Sequence, residues 1–83
     1  MSVIDDVRTV VGDALQLGER ADAMTSATPL LGAIPELDSM AVATLITSLE
    51  ERFGFTVADD EIDGSAFQTV GTLVEFVNGK LSQ

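Results

Sequence analysis

Apolar residues return every three or four positions in three separate stretches of this chain, and nowhere do they alternate in twos over more than a few residues. That periodicity predicts helices and excludes a sheet. In the first stretch, Val3, Ile4, Val7, Val10, Val11, Ala14, Leu15 and Leu17 fall within an arc of about 160° on a helical wheel. Asp5, Asp6, Arg8, Thr9, Gly12, Asp13 and Gln16 occupy the remainder. Ser2 is the expected N-cap, Asp5 and Asp6 suit the positive end of the helix dipole, and Gly18 is the expected stop. The second stretch runs from Ser39 to Phe53, capped by Asp38, ended by Gly54, with Val42, Leu45, Ile46, Leu49 and Phe53 as its apolar stripe. The third runs from Val70 to Leu81 behind Thr69, with Val70, Leu73, Val74, Val77 and Leu81 on one face.

The connections differ in kind. From Glu19 to Leu37 the chain contains Pro29, Gly32 and Pro35, which oppose a helix. Met24, Leu30, Leu31, Ile34 and Leu37 lie in the same stretch. A loop this long in a small domain is expected to pack, so these residues should lie across the helices and close the core. Between the second and third helices, Asp59 to Ala66 suits one short helical turn held by Val57, Ile62 and Phe67. The expected fold is all-α: a small bundle of three main helices plus one short helical turn, with a long first loop, forming a single domain over residues 1–83.

Composition removes most chemistries. The chain has 83 residues, 46% of them hydrophobic, and contains no Cys, His, Trp or Tyr. Neither a disulfide framework, a thiolate nucleophile, a Cys/His zinc site nor a histidine base is possible. Four basic and 14 acidic residues give a net charge of −10, which disfavours nucleic acid and anionic membrane surfaces. Residues 36–63 carry eight acids and only Arg52, whereas residues 1–35 sum to −3 and residues 64–83 to zero. Met1 to Asp6 has no basic region before an apolar run, and no apolar stretch approaches the ~18 residues of a membrane span. A cytoplasmic protein is expected.

Three places hold candidate chemistry. Asp59, Glu61 and Asp63 followed by Gly64 imitate the start of a calcium loop, but the twelfth position is Val70 where a bidentate Glu is required. A specific calcium sensor is not expected there; weak divalent binding by Asp59 to Asp63 stays as a further alternative. Carboxylate pairs are plentiful, yet they sit in charge-rich, exposed runs, and nothing sets two pKa values apart for acid/base catalysis. Asp38-Ser39-Met40 opens the second helix. An Asp-Ser helix start is ordinary capping chemistry, but Ser39 precedes Val42, Ala43 and Ile46 on one side of the helix. A group on its oxygen would reach solvent or the seam between helices, and a phosphate there would meet backbone N–H groups and the positive dipole end.

Leu37-Asp38-Ser39-Met40, then Leu45-Ile46, Leu49-Glu50-Glu51-Arg52-Phe53 and Thr69-Val70-Gly71-Thr72-Leu73-Val74, resemble an acyl carrier protein over essentially the whole chain. The resemblance implies an acidic four-helix bundle that is not an enzyme and acts as a monomer. It implies covalent 4′-phosphopantetheine on Ser39, transferred from coenzyme A by a phosphopantetheinyl transferase with magnesium. Asp38 would cap the helix and help place the magnesium and the serine. An acyl or aminoacyl group would be held as a thioester and presented to acyl-transferring or synthase enzymes of fatty-acid, polyketide or secondary-metabolite synthesis. Val42, Ala43, Ile46 and Leu49 would line the route of an acyl chain, and Met40, Thr44, Thr47 and Glu51 would contact partners.

The chain departs from that family in two places. Met40 stands where Leu is more usual. Ala41 and Thr44 stand where carriers of fatty-acid synthesis usually have acids, so the strip Met40, Thr44, Thr47, Ser48, Glu51 has its charge only at the far end. Thr28 to Leu37 is more similar to specialised stand-alone carriers loaded by adenylate-forming acyl ligases. The alternative from the residues alone is an unmodified acidic helical interaction module that binds a basic partner through residues 36–63.

Overall fold

The computed structural model describes residues 2–30, 32, 38–61 and 64–82, the Asp59 side chain aside. Four α-helices follow in order: α1 (Val3–Leu15), α2 (Glu19–Asp22), α3 (Ser39–Phe53) and α4 (Val70–Leu81). No strand occurs among the described residues. The three long helices stand where the apolar periodicity puts them. Ser2, Asp38 and Thr69 cap them as expected, each accepting a backbone N–H into its side chain. Thr72 returns a hydroxyl to the Thr69 backbone, which makes a reciprocal capping box.

Four expectations need correction. The left-handed residue that ends α1 is Gln16, at φ 55°, and not Gly18. Gln16 and Leu17 both donate to the Gly12 carbonyl, and this turn drives Leu17 into the core. Gly18, at φ 59° and ψ −128°, instead precedes α2. That helix replaces what reads as loop from Glu19 onward. Its signal is Leu17, Ala21 and Met24, spaced i, i+4, i+7 and all buried. Gly12, expected on the polar side of α1, is buried beneath α2; a Cβ there would lie 2.6 Å from the Ala21 Cβ. The single turn expected over 59–66 is two short 3-10 turns, Asp59–Glu61 and Gly64–Phe67. Phe67 is buried and Val57 half-buried beside them, while Ile62 lies outside the described residues.

The first loop does close the core through Met24 and Leu30; Leu31, Ile34 and Leu37 lie outside the described residues. It is pinned to the start of α4 by main-chain hydrogen bonds. Leu30 N–H donates to Gln68 O at 2.8 Å, Val70 N–H to Thr28 O at 3.0 Å, and Gly71 N–H to Ser26 O at 2.8 Å. Pro29 faces Thr69 in the one antiparallel position of this short ladder where no donor is called for. Met24 and Leu30 belong to one buried cluster with Val7, Val11, Leu45, Leu49, Phe67, Val70, Leu73 and Val77.

The basic residues tie elements together. Arg8 pairs with Asp5 and donates to Met24 O, joining α1 to the loop after α2. Arg52 of α3 meets Asp6 of α1 at 2.9 Å. Lys80 of α4, its side chain 9% exposed, meets Glu61 at 2.6 Å. That ammonium, together with the Ala58 N–H, holds the Glu61 carboxyl below its ordinary value of 4.5. A depressed carboxyl stabilises the fold above its unfolded pKa, and the contribution is lost as pH falls through the lower folded value. The melting temperature of Glu61→Gln should therefore lie below that of the parent at neutral pH, with the gap closing as pH falls beneath 4.5. Thermal melts of both proteins across that range check it; a gap that does not change with pH would remove the ionic contribution.

Candidate functional site

The site is built at the head of α3. Asp38 is extended, at φ −106° and ψ −174°, so its side chain turns back over the first turn. Its Oδ1 accepts the Ala41 N–H at 2.8 Å and its carbonyl accepts the Val42 N–H at 2.9 Å. The carboxylate satisfies one of the four N–H groups that a helix leaves without an intrahelical partner, at the positive end of the dipole. Ser39 is the first residue of the helix and is exposed, as is Met40, at 79%. The Ser39 hydroxyl thus stands in solvent at a rigidly capped helix start, beside a carboxylate already oriented.

Beyond the serine, α3 divides into two faces. Leu45, Ile46 and Leu49 are buried and Val42 and Phe53 half-buried. Ala43 leaves this set: it is exposed, so it does not line the seam expected for an acyl chain. On a regular helix it falls about 100° round from Val42 but only about 40° from Thr47, which places it with the solvent-facing residues. Met40, Thr44, Thr47 and Glu51 are exposed as expected, while Ser48 is half-buried.

The exposed face is chemically quiet. Thr44 donates its hydroxyl to Met40 O and Thr47 donates its own to Ala43 O, both at 3.1 Å. With those protons turned back on the helix, the face presents a thioether, a methyl from Ala43 and the threonine methyls. No charge occurs on it until Glu51. Most of this strip is legible in the sequence; Ala43 is not, because its i+4 spacing from Ser39 groups it with Val42 and Ile46.

Of the described acids nearby, Glu61 is engaged by Lys80; Val70, which takes the last calcium-loop position, is fully buried. Asp63 and the Asp59 side chain lie outside the described residues. Among the described residues no group of three or more acids could hold a metal ion. No described helix is long and apolar enough to cross a membrane.

Comparison with known proteins places this geometry. Residues 5–77 match the family model described as a phosphopantetheine attachment site. The acyl carrier protein of Chlamydia trachomatis is 30% identical over 77 residues, 93% of this chain and 94% of the relative. That of Chlamydia muridarum is 29% identical over the same share. The solution structure of a holo acyl carrier protein from Nitrosomonas europaea superposes with a TM-score of 0.92 at 53% identity, covering 100% of both chains. These proteins are carriers and not enzymes, and their prosthetic group is covalent 4′-phosphopantetheine. The match spans α1 to α4 and includes the capped serine, so the chain belongs to the acyl carrier protein family.

Proposed function

We propose that Ser39 is the residue that bears the 4′-phosphopantetheine group. The carrying observation is the exposed Ser39 hydroxyl at the first position of α3, beside an Asp38 side chain held over the first turn by the Ala41 N–H. The residues fit the group. A phosphodiester on Ser39 would sit at a helix N-terminus, where backbone N–H groups and the dipole favour an anion. When bound, the group supplies a thiol, on which an acyl or aminoacyl group is held as a thioester. Asp38 keeps the helix start fixed while a transferase acts, and helps place the magnesium and the serine. The rigid bundle supplies orientation.

The finer reading concerns partners and pathway. Met40, Ala43, Thr44 and Thr47 give an uncharged approach to Ser39, with Glu51 at the margin. This favours enzymes that dock on α3 through apolar contact, and a specialised pathway loaded by an adenylate-forming ligase rather than housekeeping fatty-acid synthesis. Val42, Ile46 and Leu49 remain the side chains along which an acyl chain would run, without Ala43. A single cytoplasmic domain acting as a monomer completes the reading.

The test is intact mass. Apo protein incubated with coenzyme A, magnesium and a promiscuous transferase should gain one phosphopantetheine, and Ser39→Ala should gain none. No gain across several transferases would overturn the assignment and favour the unmodified interaction module. Ser39 is exposed and makes no core contact, so Ser39→Ala should leave stability within about 0.5 kcal/mol of the parent. That separates a lost attachment site from a lost fold.

A further inference from the structure

We propose that Met40 is an oxidation site through which peroxide weakens the approach of partner proteins to Ser39. The inference rests on the assignment of Ser39. The chain has three methionines and no cysteine, so in the apo protein the thioethers are its only sulfur groups. Their settings differ sharply. Met24 is 6% exposed, a member of the buried core, whereas Met40 is 79% exposed and directly follows Ser39. Access governs thioether oxidation, so Met40 should react well before Met24.

The consequence comes from the surroundings of the sulfur. Met40 is the largest apolar side chain on a face that is otherwise Ala43, Thr44 and Thr47, whose hydroxyl protons are already engaged. A partner docking there gains most of its apolar contact from that one flexible side chain. In the reaction with hydrogen peroxide, a sulfur lone pair attacks one peroxide oxygen and the O–O bond breaks. The sulfur gains an oxygen and is oxidised by two electrons; the other oxygen takes up the proton and leaves as water. The product is a polar sulfoxide in the middle of the contact, which a partner must desolvate without an opposing donor. The change is reversible by methionine sulfoxide reductase.

The test uses the full-length apo protein. After brief peroxide treatment it is cleaved at glutamates, so that Glu36 puts Met24 and Met40 in different peptides. The Met40 peptide should gain one oxygen while the Met24 peptide stays unchanged. Treated protein should then be modified by the transferase with kcat/KM about tenfold lower, the scale of losing one apolar anchor, and the reductase should restore it. In Met40→Leu, the ratio of treated to untreated rates should stay near one. Equal oxidation of Met24, an unchanged rate for the sulfoxide protein, or equal peroxide sensitivity of Met40→Leu would each overturn the proposal. An untreated protein that gains no phosphopantetheine overturns the Ser39 assignment, and this inference with it.

Discussion

Leu30→Ala is expected to lower stability by roughly 2–5 kcal/mol, the cost of truncating a leucine in a closed core. Loop substitutions usually stay within ±0.5 kcal/mol, so this is core behaviour from a loop residue. The reason is placement: Leu30 is fully buried, and its backbone N–H is fastened to Gln68 O at 2.8 Å, so the loop cannot slide to refill the space. For a chain of 83 residues the whole stability is of order ~4–12 kcal/mol. The loss should appear as a fall in Tm of at least about 10 °C, measured by circular dichroism. A fall under about 3 °C would show that the loop does not seal the core. Because Ser39 lies outside that core, the folded fraction of Leu30→Ala should still accept the prosthetic group.

The residues show why the long helices are legible in full and the connections only in part. Fifteen residues of α3 repeat one spatial period, and Asp38 and Gly54 mark both ends with side chains suited to a cap and a left-handed turn. Helix α2 has four residues, too few for a period, and its signal of Leu17, Ala21 and Met24 straddles a glycine that reads as a stop. Gly12 falls on the polar side of the wheel, but its burial is decided by Ala21, an element away in the fold. The pairing of Ser26 to Leu30 with Gln68 to Gly71 joins segments about forty residues apart through main-chain atoms, which carry no sequence signature.

At the site the same division holds. Asp38 and Ser39 are local, and their roles as cap and exposed first residue follow from neighbours along the chain. The character of the docking face is less local. Its neutrality is read from Met40, Ala41 and Thr44, and the threonine hydroxyls bond carbonyls of their own helix, but the exposure of Ala43 depends on how α3 is rotated against α1. That rotation is set by Leu45 and Leu49 in the core and by the Arg52–Asp6 pair at the rim. The acyl-carrier resemblance supplies the serine; the packing decides which α3 residues stand beside it in solvent.

Two glycines of α4 should respond to alanine with opposite signs. Gly79→Ala adds a Cβ that meets nothing within 4 Å in an exposed part of the helix. It should stabilise by roughly 0.5–1 kcal/mol, because glycine loses more backbone freedom on folding than alanine. Gly71→Ala places its Cβ 2.7 Å from Ser26 O, a backbone atom that also accepts the Gly71 N–H at 2.8 Å. Relief requires the loop to retreat, which breaks that hydrogen bond and strains the Leu30–Gln68 and Val70–Thr28 bonds beside it. Overpacking and a lost hydrogen bond together give a destabilisation of roughly 2–4 kcal/mol. Parallel thermal melts of the two variants check the opposite signs; a Gly71→Ala protein as stable as the parent would mean that the loop is not pinned to α4. Gly71 and Leu30 act on one contact, so their combined loss should fall short of the sum of the single losses, as expected when the first change has already loosened what the second would break.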